Sequence, residues 1–101
     1  MEKKSLSNTC VNGTKKNVKD VVVFGNGDMF KLLCKASSES QGWMKSTKAM
    51  IIPHGVVIQV TTQQLNPDGS YSVAEALTSI VGNFKLVDDV NNGRKIVPVM
   101  V

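Results

Sequence analysis

The side chains best suited to nucleophilic or metal chemistry are one histidine and two cysteines, His54, Cys10 and Cys34. A Cys–His pair works only when the imidazole lies beside the thiol that it activates. His54 stands in a Pro-His-Gly sequence, which is typical of an exposed turn. A zinc site needs three or four ligands, and these three residues lack the spacing of zinc motifs. The sequence therefore predicts no catalytic residue and no metal ligand among them.

Two further motifs have the composition of functional sites but a spacing that favours turns and loops. Asp88 and Asp89 are adjacent, and adjacent residues of a strand point to opposite faces, so they are poorly placed for joint acid–base work. Gly25-Asn26-Gly27 has the composition of the start of a phosphate-binding loop, but neither the third glycine nor the helix of that motif follows. We therefore expect a protein that is not an enzyme and carries no cofactor.

Two cysteines are too few for a disulfide framework. Cys34 lies in an apolar run, which predicts a small buried side chain, whereas Cys10 lies in a polar segment; a bridge between them stays open at this stage. No apolar segment of the secretory type follows Lys3 and Lys4, and no apolar run approaches the length of a membrane span. We expect a cytoplasmic protein with no membrane partner, in a compartment that keeps thiols reduced.

The positive charge of the chain is concentrated in its first half. Residues 1–50 carry nine lysines against four acidic residues, or +5, and residues 51–101 carry three basic residues against four acidic ones, or −1. The basic half can attract phosphate or an acidic protein surface. Eleven of the twelve basic residues are lysine. Because bidentate recognition of phosphate or bases uses arginine, this composition favours non-specific attraction.

Met1–Asn17 is polar and shows no hydrophobic period. Such a segment cannot bury enough apolar surface to offset the entropy of ordering it. We expect residues 1–17 to form a flexible basic N-terminal arm, or an arm that orders on a partner. Residues 18–101 are then a single β-rich domain, because a chain of this length forms one domain.

The rest of the chain reads as short β-rich runs separated by turns. The central signal is a hairpin in which Asn66-Pro67-Asp68-Gly69 joins two such runs, since Pro67 suits a type I turn and Gly69 accepts a positive φ. We predict strands at Val18–Phe24, Met29–Ala36, Trp43–Ile52, Val56–Gln64, Ser70–Thr78, Phe84–Val87 and Arg94–Val101.

Several of these predictions have alternatives or details that the structure can test. A short helix at Met44–Met50 competes with the third strand, and Ala-Glu-Ala-Leu gives Ser72–Ile80 some helical character. Pro98 predicts that the last strand is an edge strand or ends early. In Met29–Ala36 the alternation predicts one apolar and one basic face, with Leu33 as an exception. The apolar face would hold Phe30, Leu32, Cys34 and Ala36, and the basic face Lys31 and Lys35.

These elements predict an all-β fold: a single small antiparallel β-sandwich or barrel of six to seven short strands, with a mobile basic N-terminal arm. Gly25-Asn26-Gly27-Asp28 is expected to close the first hairpin, and Asn92-Gly93 the last.

Three stretches resemble a known type of protein: Gly42–Met50, Gly55–Gln64 and Asn66–Ala76. Through them the chain resembles short accessory proteins encoded by temperate, lambdoid-type phages of enteric bacteria. The resemblance covers most of the chain. It implies no catalytic residues, and it implies a host-directed binder or inhibitor, a regulator, or a component of the virion.

Our leading hypothesis is a non-enzymatic protein-interaction module that binds and modulates a host factor, using an exposed strand edge or loop surface. The candidate partner-binding residues are Lys15, Lys16 and Lys19 in the basic arm and its vicinity, and Trp43 and Lys45 beside the serine-rich loop. The alternatives are a non-specific nucleic-acid-binding β-barrel, in which Lys31, Lys35, Lys45 and Lys48 share a face with Trp43, and an oligomeric accessory subunit of a virion.

Overall fold

The computed structural model describes residues 10–89 and 93–99, which form one short helix and six strands. The helix, α1, spans Val11–Asn17. The strands are β1 (Lys31–Ser38), β2 (Trp43–Ile52), β3 (Gly55–Leu65), β4 (Tyr71–Val81), β5 (Phe84–Asp89) and β6 (Gly93–Pro98). Every pairing between them is antiparallel, so the prediction of a small all-β fold is confirmed.

The six strands form two layers. Strands β1 to β4 make a four-stranded sheet in sequence order, and β5 pairs with β6 in a separate hairpin. Phe84, Leu86 and Ile96 of the hairpin pack on the core of the large sheet, which is formed by Leu33, Ala49 and Val56. This covered side is called the hairpin face below. The core thus lies under the hairpin, toward the β1–β2 side of the sheet.

The opposite side of the large sheet, called the helix face below, carries α1. Lys48 of β2 lies opposite Gln59 of β3, and both line a cleft together with Val11 and Thr14 of the helix. Directly opposed residues on antiparallel strands share a face, so the register of the sheet assigns every strand residue to one face or the other.

The predicted strand at Trp43–Ile52 is confirmed, and the competing helix does not form. Strand β2 lies between β1 and β3 and pairs with both, so hydrogen bonding to two neighbours outweighs the helix propensity of its Met, Lys and Ala residues. The strand reading of Ser72–Ile80 is confirmed in the same way, as part of β4. Pro98 ends β6 opposite Phe84 in a two-stranded sheet, as its missing donor predicts.

The predicted faces of the return strand are wrong because β1 contains a β-bulge. Leu32 lies opposite Lys48 and Cys34 lies opposite Thr47, so Leu33 is an extra residue between them. The bulge changes the phase of the alternation: Leu33 enters the core, while Cys34 is exposed. The prediction of a buried Cys34 is therefore also wrong. Cys10 and Cys34 are both free thiols.

The predicted first strand, Val18–Phe24, does not form, and Val22 and Phe24 are exposed. The Gly25-Asn26-Gly27-Asp28 turn that follows it therefore does not close a hairpin. The Asn26 side chain accepts a hydrogen bond from the Asp28 amide, and the Asp28 carboxylate accepts one from the amide of Val11. Asp28 thus connects this turn to the start of α1, and the segment is held by the helix instead of a strand partner.

Helix α1 occupies residues that the sequence assigns to the arm. Its N-cap is Cys10, whose Sγ accepts a hydrogen bond from the Gly13 amide at 3.2 Å. Lys15 and Lys16 stand in its last turn, where positive charge complements the helix dipole. Residues 1–9 of the predicted arm and Asn92 of the predicted Asn-Gly turn lie outside the described residues. The domain boundary at residue 17 stays a prediction.

Candidate interaction edge

Strand β4 is an edge strand with little cover on either face. Within the described residues it pairs with β3 alone, and all its residues after Tyr71 are exposed. On the helix face Val73 is 57%, Leu77 63% and Val81 89% exposed. On the hairpin face Ile80 is 46% exposed. A long, exposed apolar strand with free backbone groups is a template for pairing with another chain.

The hairpin turn fixes the register that produces this edge. The Gly69 amide donates to the Asn66 carbonyl at 3.0 Å, and Gly69 has a φ of 88°. The Asn66 amide donates back to Ser70, and Leu65 then lies opposite Tyr71. The Ser70 hydroxyl and amide both donate to Asp68, and these bonds lower the pKa of that carboxyl below its ordinary value. The predicted Asn-Pro-Asp-Gly turn is therefore confirmed.

From this turn the β3–β4 pairing runs without a register shift from Leu65–Tyr71 to Gly55–Val81. The strand contains no proline, no lysine and no bulge, which are the usual features that prevent an edge from pairing. The single charged side chain of β4, Glu75, is hydrogen-bonded within its own sheet. Gln59 Nε2 donates to the Glu75 carboxylate at 2.6 Å and Thr61 Oγ1 donates to it at 3.1 Å. The charge is thus directed toward β3.

The other edge strand of the sheet, β1, has features that oppose pairing with another chain. The Leu33 bulge interrupts its ladder, and Gly93 at the start of β6 lies against the Leu33 backbone. A methyl group at Gly93 would overlap the Leu33 carbonyl oxygen. Arg94 Nη1 donates to the Leu32 carbonyl at 2.8 Å, while its Nε lies 3.5 Å from Asp88 Oδ1. The β6 strand therefore covers part of the β1 backbone.

The structure separates the sequence-predicted partner-binding residues into two groups. Trp43 and Lys45 lie on the hairpin face, as alternate residues of β2. Trp43 is half-buried and Lys45 is exposed. Lys15, Lys16 and Lys19 are exposed in and just after α1, which belongs to the helix face. The two groups thus lie on opposite sides of the sheet, and their role in binding stays a prediction.

The four lysines proposed for a nucleic-acid face do not all lie beside Trp43. Lys31 and Lys45 share its face, whereas Lys35 and Lys48 are on the helix face. Lys35 is there because the bulge reverses the phase of β1, and Lys48 because it alternates with Trp43 along β2. Burial lowers the pKa of Lys35 below its ordinary value, and the nearby charge of Lys48 lowers that pKa further. A single basic face around Trp43 is therefore not present.

The cleft between α1 and the sheet has a volume of about 480 Å³. Its lining includes Lys48, Met50 and Gln59 from the sheet and Asp28 and Phe30 from the segment just before β1. Asp28 is already bonded to the Val11 amide. Across residues 10–89 and 93–99, the structure shows no group of three or more His, Cys, Asp or Glu side chains that could hold a metal ion.

The sequence reasoning missed the residues that make the β4 edge distinctive, Val73, Leu77 and Val81. Their spacing was available: they recur at every fourth position of one strand and so share a face. The spacing does not give the order of the strands in the sheet. Only the sheet topology shows that no strand in the described part of the chain lies beyond β4. No helix in the described part of the chain is long and apolar enough to span a membrane.

Comparison with known proteins identifies a family. The model of the Lockin family matches residues 1–97 of the chain. No curated protein and no solved structure matches the chain. The family match covers nearly the entire sequence, including both sheets and the β4 edge. The chain is therefore a member of the Lockin family.

Proposed function

We propose that this protein is a non-enzymatic protein-interaction module whose binding site is the free edge of β4. The observation that carries the proposal is the exposure of β4 on both faces, together with its place at the end of the strand order in the described part of the chain. An extended segment of a partner would add a strand there, with backbone hydrogen bonds giving affinity and alternate side chains giving specificity.

The apolar side chains of the edge support binding to a polypeptide in preference to a nucleic acid. Val73, Leu77 and Val81 offer aliphatic contacts, and Glu75 supplies negative charge, which repels phosphate. The basic residues Lys15, Lys16 and Lys19 are on the same side of the sheet as these side chains. In this proposal they add electrostatic attraction for an acidic partner but are not the docking surface.

The resemblance to accessory proteins of temperate phages supports a more specific role within this proposal. A phage-like accessory protein would use the β4 edge either to bind and modulate a bacterial host protein or to join an assembly of virion subunits. Both roles place the protein in the cytoplasm of the host during its synthesis. Both require the same feature, which is an edge that accepts another strand.

A capture experiment with matched variants tests the proposed function. The full chain is immobilised and exposed to a bacterial lysate that also contains an untagged form of the same chain. Leu77→Lys places a positive charge at the middle of the β4 edge, and Ser37→Lys places the same charge at an exposed position of β1. We expect polypeptides bound by the wild-type chain to be lost with Leu77→Lys and retained with Ser37→Lys.

Deletion of residues 1–17 in the same experiment measures the contribution of the basic segment. We expect weaker capture than by the full chain, with a difference that is largest at low salt and shrinks at high salt, since salt screens the charges that the deletion removes. If Leu77→Lys and the wild-type chain capture the same set of polypeptides in equal amounts, β4 is not the binding site and the proposed function is wrong.

A further inference from the structure

The helix-face residues of β4 form a pattern that is symmetric about Leu77. Val73, Leu77 and Val81 are apolar, and the residues between them on that face, Glu75 and Ser79, are polar. The alternation of apolar and polar residues is thus the same in both directions from Leu77. A two-fold interface requires a surface that is complementary to itself, whereas a site for an unrelated strand carries no such requirement.

We propose that the strand that pairs with β4 is β4 of a second copy of the chain, antiparallel and centred on Leu77. This inference rests on the proposed function and identifies its partner. A two-fold axis perpendicular to the sheet keeps each face on its own side, so residues that share a face oppose one another. Leu77 then lies opposite Leu77 of the second copy, and Val73 lies opposite Val81 of the second copy.

The same register satisfies the remaining positions. Glu75 lies opposite Ser79 of the second copy, so a carboxylate that is bonded within its own sheet faces a neutral polar residue. On the hairpin face Ala74 lies opposite Ile80 of the second copy, which sets a small side chain against a large one. Ala76 lies opposite Thr78 of the second copy. No pair in residues 73–81 sets like charges against each other.

Neighbouring registers are less favourable. Centring the pair on Glu75 would place that carboxylate directly opposite itself, which is destabilising for like charges on adjacent strands. Centring it on Ala76 would place Glu75 opposite Leu77 and Val73 opposite Ser79, which removes the apolar contacts on the helix face. The register centred on Leu77 therefore combines the largest apolar contact with no charge conflict.

The resulting dimer has a continuous eight-stranded sheet, four strands from each copy. Its two outer strands are both β1, and each is interrupted by the Leu33 bulge and covered in part by β6. The assembly therefore closes as a dimer, because pairing through β4 uses the edge of each large sheet that has neither a bulge nor a cover within residues 10–89 and 93–99.

Disulfide trapping tests both the dimer and its register. The background variant is the full chain with Cys10→Ser and Cys34→Ser, which removes the two exposed native thiols. Leu77→Cys then places one thiol per chain at the two-fold axis, where opposed Cα atoms lie about 4.5 to 5.5 Å apart. That separation is within the range of a disulfide. The matched control, Ser79→Cys, lies on the same face, but its two copies would be about 13 Å apart along the strand.

We expect mild oxidation to link Leu77→Cys chains at least tenfold faster than Ser79→Cys chains, with reduction restoring the monomer. Light scattering of the unmodified wild-type chain should give twice the mass of the 10.9 kDa chain. A wild-type mass of one chain at every concentration, or equal linking of the two variants, overturns the inference. If the wild type is a monomer but a lysate protein is captured through Leu77, the proposed function stands and only the identity of the partner is wrong.

Discussion

The two outer strands of the four-stranded sheet, β1 and β4, differ in how far their outer edges are covered. Each has backbone donors and acceptors on the side away from the sheet. Strand β1 has a bulge at Leu33, lysines at both faces and a cover made by Gly93 and Arg94. Strand β4 has none of these features and exposes Leu77 and Val81.

The difference indicates which edge is used for binding. The fully buried residues of the core, Ala49 and Val56, lie on β2 and β3, and Leu33 joins them from β1. Strand β4 contributes no residue to this core, so within one chain it is held by its pairing with β3. A second strand on its outer side would therefore add contacts that the described residues of one chain do not supply. Four substitutions test this contrast.

The largest effect is expected from removing the cover on β1. Gly93→Ala adds a methyl group that overlaps the Leu33 carbonyl oxygen, at a residue whose φ is 83°. We expect a loss of about 3 kcal/mol in the free energy of unfolding, since both overpacking and the left-handed backbone contribute. Urea unfolding measures the change.

The matched control for Gly93→Ala is Gly69→Ala. Gly69 also has a positive φ, but no atom lies within 4 Å of an added methyl group. Only the strain of the left-handed backbone remains at Gly69, so we expect a loss of about 1 kcal/mol in the free energy of unfolding. Equal losses for the two variants would show that Gly93 does not hold β6 against β1.

The next effect concerns β4. For a dimer that forms through this strand, the melting temperature rises with protein concentration, by roughly 3 °C for each tenfold increase. Leu77→Lys sets two ammonium groups against each other at the centre of the interface and should abolish this dependence. Ser37→Lys on β1 should leave it unchanged. Thermal unfolding at several concentrations distinguishes these results, and a concentration dependence that survives Leu77→Lys would contradict the assignment of the edge.

A smaller effect is expected from the hydrogen bond that covers the β1 backbone. Arg94→Met removes the donor to the Leu32 carbonyl and also the Asp88 ion pair. We expect a loss of about 1 kcal/mol by urea unfolding, most of it from the hydrogen bond. Asp88→Asn is the control, because it removes only an exposed ion pair of little net value. A larger loss for Asp88→Asn than for Arg94→Met would reverse this interpretation.

The smallest effect concerns the lysines near β1. Lys48→Met removes the like charge that helps to lower the pKa of Lys35, so that pKa should rise toward its ordinary value of 10.5. A lowered lysine pKa means that the charged form is disfavoured in the folded state. The resulting destabilisation is full below the folded pKa and disappears as the pH rises past 10.5.

Lys48→Met should therefore reduce this pH dependence slightly, while Lys45→Met on the other face should not. An NMR titration of the Lys35 side chain measures the pKa directly. An unchanged Lys35 pKa in Lys48→Met would show that burial alone accounts for the shift.

Local sequence signals predicted the parts of this fold that depend on local chemistry. Pro67 and Gly69 define the β3–β4 turn, because proline fixes its own φ and glycine accepts the positive φ that closes the turn. Pro98 marks the end of an edge strand, because it has no backbone donor. The all-β class followed from several such signals in series. Six of the seven predicted strands form, since turn residues separate one β-rich run from the next, whereas the run at Val18–Phe24 does not form a strand.

The features that the sequence did not predict depend on contacts between distant residues. The bulge at Leu33 arises where β1 meets both β2 and β6, and it decides the exposure of Cys34. Helix α1 is bonded at its start by Asp28, whose carboxylate accepts a hydrogen bond from the Val11 amide although the two residues are distant in sequence. The candidate site on β4 could be read as a strand, but its position at the edge is a property of the sheet order.

In the proposed dimer, a second copy of the chain completes the outer side of β4. Residue-resolved hydrogen exchange of the wild-type chain tests it directly, because alternate amides of residues 73–81 point toward β3 and away from it. We expect the outward amides to be protected at high protein concentration and to lose protection on dilution, while the inward amides stay protected. In Leu77→Lys the outward amides should exchange freely at every concentration. Free exchange of the outward amides in the concentrated wild-type protein would contradict the proposed dimer.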